Sequence, residues 1–110
     1  MTATLHTAAE NIVNEVVYLE RMERALVPAH LRDGLVRYLV HHIRPGYFLT
    51  AVLQNDLRAA IAHGDAASLT WLPELIRFLE NDVPLMAWGS PRLVDVWLDP
   101  AGVAPREGRS

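Results

Sequence analysis

Apolar residues return at helical intervals along most of the chain. Leu5, Ile12, Val16, Leu19 and Leu26 recur three, four or seven residues apart, and Val13 and Val17 widen the stripe. Glu10, Glu15, Glu20, Arg21 and Arg24 fall mostly elsewhere. The spacing predicts a first helix over 8–26 whose stripe packs on the core of its own domain. The breadth of the stripe also suits a seam between two copies. Pro28 closes this segment, because it lacks an N–H and restricts the residue before it. A second helix is predicted over 29–42. Leu31, Leu35, Val36, Tyr38, Leu39, Val40, His42 and Ile43 form one wide apolar arc, with Asp33, Arg37 and Arg44 opposite and His41 on the outer side. Gly34 lies inside that helix, at a cost of up to ~1 kcal/mol relative to alanine, which predicts the close approach of a neighbour.

Arg44-Pro45-Gly46 breaks the pattern, and a third helix is predicted from Gly46 to Ala62. Phe48, Leu49, Val52, Leu53 and Leu57 form its apolar arc. Asp56 falls between Val52 and Leu49 on that arc, and Asn55 at its edge. Gly64 is the expected stop, and Asp65 the N-cap of a fourth helix over 66–81. Pro73 either kinks this helix or begins it after a short first turn. The loop 81–90 is rich in apolar residues and is expected to fold over the core. Ser90-Pro91 opens a fifth helix over 91–98, and 99–110 has no apolar periodicity, as in a flexible tail. The fold class that follows is all-α: a compact bundle of about five helices, one domain over residues 1–98.

Composition narrows the class. At 110 residues and 51% hydrophobic, the chain is long enough to bury a core unaided. It has no Cys, which removes disulfides, thiol nucleophiles and Cys-based zinc sites and fits a cytoplasmic setting. The start of the chain lacks the basic and apolar regions of a signal peptide. No apolar run approaches the ~20 residues that span a bilayer. All ten basic residues are Arg, a bias that suits either a GC-rich coding sequence or a use for the planar guanidinium fork. The net charge is −3, with the excess of Arg confined to the middle of the chain. That middle is too weakly basic for an electrostatic nucleic-acid footprint.

Candidate chemistry is sparse. A carboxylate on a core face must be paired, neutralised or used. Asp56 is therefore read mainly as a structural tether that accepts bonds from the Trp88-Gly89-Ser90 loop, with general acid–base catalysis as the alternative. The histidines at 6, 30, 41, 42 and 63 form no HExxH or same-face pair, and His63-Gly64-Asp65 supplies too few donors for a metal. Serine is scarce, and no G-x-S-x-G, P-loop or G-x-G-x-x-G is present. No catalytic residue, metal or cofactor is expected. The second and third helices, joined by a short Pro-Gly turn, also admit a helix-turn-helix reading with Thr50, Gln54 and Arg58 on the recognition side. The acidic flanks disfavour it.

From about residue 28 to 98 the chain resembles a family of small, mostly uncharacterised bacterial and phage or prophage proteins. The resemblance rests on His30-Leu31, Tyr38, His41, Ile43, Pro45-Gly46, Phe48-Leu49, Ala51-Val52-Leu53, Asn55-Asp56-Leu57 and the later Trp88-Gly89-Ser90-Pro91. His42 stands where such proteins usually have Gly, and Arg44 where Pro is frequent. The resemblance brings no catalytic residues; it implies a mobile-element setting, in which small acidic helical proteins often bind host proteins, anti-CRISPR inhibitors of host defence among them. The expected function is thus a non-enzymatic protein-binding module, with a small DNA-binding regulator as the alternative. Its contact rim is expected at Arg37, His41, Arg44, Tyr47 and Arg58, because Arg and Tyr serve as interface anchors. The expected partner is another protein, and a homodimer through the first helix is compatible with the pattern.

Overall fold

A computed structural model describes residues 8–102. Among them the backbone forms α1 (Ala8–Arg24), α2 (Ala29–His41), α3 (Tyr47–Leu53), α4 (Leu57–His63), α5 (Ala66–Thr70), α6 (Leu72–Asp82) and α7 (Pro91–Leu98), with a 3-10 turn at Leu85–Ala87 and no strand. The all-α class holds, with seven helices in place of five. Leu5 and the end of the tail, 103–110, lie outside the described residues. The first part of the expected tail is a turn, in which the Gly102 N–H donates to the Asp99 carbonyl at 3.0 Å.

Both extra helices arise from breaks that a periodicity cannot show. The expected third helix stops at Leu53 because Asn55 enters the left-handed region, at φ 61°. Asn tolerates that region better than most residues. The Asp56 N–H then reaches back to the Ala51 carbonyl at 2.9 Å, which closes α3 in a Schellman-like cap. The Asp56 carboxylate accepts the Ala59 N–H at 3.1 Å, which opens α4. The expected fourth helix likewise divides at Trp71, and Pro73 lies in the first turn of α6, where a missing N–H costs nothing. The expected fifth helix forms as α7 over 91–98, with the Ser90 hydroxyl accepting the Leu93 N–H at 3.1 Å.

The core is centred on Tyr38, Phe78, Met22, Leu35, Leu53, Leu75 and Leu79, with Val27 and Val94. α2 and α3 supply most of it. α1 folds back along α2 across the Ala25–Pro28 turn, and the Arg32 Nε donates to the Val27 carbonyl at 2.8 Å to hold that turn. Gly34 permits the close approach its position implies: a Cβ there would meet the Leu49 Cδ1 at 3.2 Å and the Pro45 Cβ at 3.7 Å.

The expected core stripe of α1 points outward. Ile12, Val13, Val16, Leu19 and Leu26 are exposed, and Met22 is the one buried residue of the helix. The side of α1 turned to the domain carries Asn14, Glu15 and Tyr18 around Met22. The loop over 81–90 covers the core only in part: Val83 and Ala87 are buried and Trp88 packs against the core, while Leu85 and Met86 face solvent.

Candidate functional site

The expected tether is replaced by different bonds. Asp56 is exposed and spends its carboxylate on the α4 cap, so it neither enters the core nor reaches the Trp88-Gly89-Ser90 loop. Backbone and phenol hold that loop instead. The Gly89 N–H donates to the Leu53 carbonyl at 2.7 Å, and the Tyr38 hydroxyl donates to the Ala87 carbonyl at 2.5 Å. Gly89 adopts φ 119°, a conformation that L side chains rarely take. Trp88 contributes packing, and Ser90 acts on its own helix.

The Tyr38 seat continues into α7. The Trp97 indole N–H donates to the Tyr38 carbonyl at 2.9 Å, and the His42 Nδ1 is hydrogen-bonded to the Trp97 carbonyl at 2.6 Å. The His42 ring lies 5.1 Å from the Trp97 ring, centroid to centroid. His42 is not in the apolar arc of α2; it follows the helix at φ 59° as its C-cap. That left-handed position is one glycine adopts without strain. Burial pushes the Tyr38 phenol well above its ordinary range; the nearby Arg44 lowers it and Asp95 raises it to a lesser degree. Tyr18 is also raised, chiefly by burial. Asn14, Tyr18, Leu39, Val40, His42 and Trp97 line a small cleft of about 210 Å³. No sequence spacing pairs His42 with a tryptophan 55 residues away, so this junction was invisible in the pattern.

The expected contact rim divides into three places. Arg37, Ile43 and Arg44 line a cleft of about 190 Å³ with His30, Gly34 and Pro45. Arg37 is held against Asp33, its Nη2 at 2.7 Å and its Nε at 3.1 Å from one carboxylate oxygen. Arg44 approaches Asp95 at 3.8 Å. Tyr47 follows one residue after Gly46, itself part of the cleft lining, and is 80% exposed with its ring 5.4 Å from that of His63. His41 is engaged elsewhere, its Nε2 hydrogen-bonded to the Glu15 carboxylate of α1. Arg58 belongs to α4, whose exposed side also carries Leu57 and Ile61 four residues apart.

The remaining candidates have structural work. Asp65 caps α5 by accepting the Ser68 N–H at 2.7 Å, and that bond, with the Ser68 hydroxyl and His30 nearby, holds its carboxyl below the usual range. His30 is hydrogen-bonded to the Ser68 Oγ at 2.8 Å. Among the described residues no three or more His, Asp or Glu side chains converge on one point. No helix among them is long and apolar enough to cross a membrane.

The three residues expected on a recognition side fall in different places. α3 buries Phe48 through Leu53, and the Thr50 hydroxyl donates inward to the Pro45 carbonyl at 3.2 Å. Gln54 sits in the break and Arg58 on the next helix, so the three residues share no exposed face. No protein-family model, curated protein or solved structure matches the chain.

Proposed function

We propose that the protein acts by binding another protein, without catalysing a reaction, through the corner where α2 gives way to α3. The observation that carries this reading is Tyr47, 80% exposed and next to a cleft that holds Arg37 and Arg44. Ile43, also exposed, adds apolar surface to the same corner. A projecting tyrosine beside guanidinium groups is the composition that interface anchors favour. Asp33 already orders the Arg37 side chain, which lowers the entropy lost on contact. Against catalysis stands the fate of Asp56, the carboxylate read as a possible general acid or base, which is a surface cap.

A more specific form of the proposal takes up the setting expected from the sequence: the partner is a host protein and the outcome is inhibition of a host defence complex. Affinity capture from host lysate, read by mass spectrometry, tests it with wild type beside Tyr47→Ala/Arg44→Ala. Wild type is expected to retain a defence component that the double variant loses, while both melt alike. Equal retention by the variant, or no retained protein, overturns the assignment of this corner.

A further inference from the structure

α1 is built inside out relative to the domain it belongs to. Its inner side carries Asn14, Glu15 and Tyr18 around the single buried residue Met22. Its outer side exposes Ile12, Val13, Val16 and Leu19 by 41% to 61%. The outward positions follow a coiled-coil register as far as the helix runs: Ile12, Val16 and Leu19 are spaced four and three apart, and Glu23 takes the next place. Leu26 adds a second anomaly. It adopts φ 64°, where glycine is free and a leucine is strained, and it is more than half exposed.

We infer that the outward face of α1 is a self-association surface, on which two copies pack α1 against α1 in antiparallel orientation. The inference stands apart from the α2–α3 corner, since it concerns a different face and needs no second kind of protein. The occupant follows from what is at hand. Residues 1–7 and 103–110 hold only Met1, Leu5 and Val103 as large apolar side chains, too few to cover five. A second α1 presents the matching set. In antiparallel register Val16 packs on Leu19 of the second copy and Leu19 on its Val16, across a two-fold axis. Ile12 then lies opposite the aliphatic part of Glu23. Parallel register would instead press Glu23 against Glu23 and align the two helix dipoles. α1, 17 residues and about 25 Å long, offers a patch of several hundred Å². Doubled by symmetry and joined by flanking residues, this reaches the roughly 1,000 Å² that a specific interface needs.

Sedimentation equilibrium on the purified full chain, at concentrations up to about 200 µM, is the test. The expected mass is about twice the 12.3 kDa of one chain. Val16→Glu/Leu19→Glu should sediment as a monomer with unchanged helical circular dichroism, because both side chains are partly exposed in the single copy and neither belongs to the buried core. Leu85→Glu/Met86→Glu alters another exposed apolar pair and should stay dimeric. The chain has no Cys, so introduced thiols are the only ones present. Val16→Cys and Leu19→Cys proteins, mixed and oxidised, should cross-link to each other far more than either does to itself. A monomeric wild type, including one that uses α1 to hold a different protein, overturns the inference. So does a dimer that survives the α1 substitutions or yields to the Leu85/Met86 pair, and self-linking of Val16→Cys overturns the antiparallel register.

Discussion

The Tyr38 hydroxyl donates to the Ala87 carbonyl at 2.5 Å, joining α2 to the 3-10 turn 49 residues later, with both residues buried. The same tyrosine accepts the Trp97 indole N–H on its backbone carbonyl, so one residue seats both the loop and α7. Tyr38→Phe keeps the ring and leaves the Ala87 carbonyl without its donor. The expected loss is about 1–2 kcal/mol, the scale of an unsatisfied buried group. Urea unfolding measures it, and a midpoint equal to wild type would remove Tyr38 from this role.

The raised phenol adds a pH signature. A group whose folded value lies above its ordinary 10.0 contributes stability that is complete below that value. The contribution is lost as pH rises through and beyond it, because the unfolded chain releases its proton first. Wild type should therefore lose more stability than Tyr38→Phe between pH 9 and 11 (about two units around the ordinary value), and parallel curves would contradict the burial of the hydroxyl.

Asp56 separates a cap from a core tether by a simple substitution pair. As a cap, Asp56→Ala should cost about 1 kcal/mol while Asp56→Asn changes little, since Asn caps as well as Asp. A buried tether would lose heavily with both. Thermal melts of the two variants distinguish the cases, and a large loss for Asp56→Asn would return the carboxylate to the core.

Gly64 is needed for space. A Cβ there would stand 2.9 Å from the Leu69 Cδ2 and from the Phe48 Cδ1 and Cε1. Its backbone φ is −80°, so no left-handed conformation is at stake. Gly64→Ala is expected to destabilise by about 1–3 kcal/mol through overpacking. Gly46→Ala, where nothing lies within 4 Å, is the control expected to be near neutral.

Asp65 sets a dependence at the acid end. Its carboxyl is held below the ordinary 3.8 mainly by the Ser68 N–H. A lowered folded value means the stabilisation is complete above about 3.8 and fades as pH falls through the folded value. Asp65→Asn retains a cap without the charge. The stability gap between wild type and Asp65→Asn should be positive at pH 7 and shrink below about pH 4; a gap that is constant or grows on acidification would contradict the assignment.

Much of the scaffold was legible in local patterns. The α7 boundaries, the Asp65 and Ser90 caps and the close approach at Gly34 follow from residue types at fixed offsets, whose bonds form within one helical turn or one contact. The break between α3 and α4 was not legible, because Asn55 and Asp56 fit an uninterrupted helical arc as well as they fit a cap. Only the left-handed turn at Asn55 takes Asp56 off the apolar face, while Leu53 and Ala60 stay buried on either side of it. Of the expected contact rim, the sequence placed Arg37, Arg44 and Tyr47 on the surface but could not show that His41 is taken by Glu15.

The sequence by itself determined that this protein is helical, where most of its helices begin, and that it has apolar surface to spare, because periodicity and capping act over three or four residues. The tertiary structure decided which apolar faces are buried. A helical wheel records that α1 has a greasy side, but not which way α2 and α6 will turn it. Burial of Met22, packing of the half-buried Tyr18 on the core and the Glu15–His41 pair face α1 the other way, and the stripe expected in the core stands in solvent.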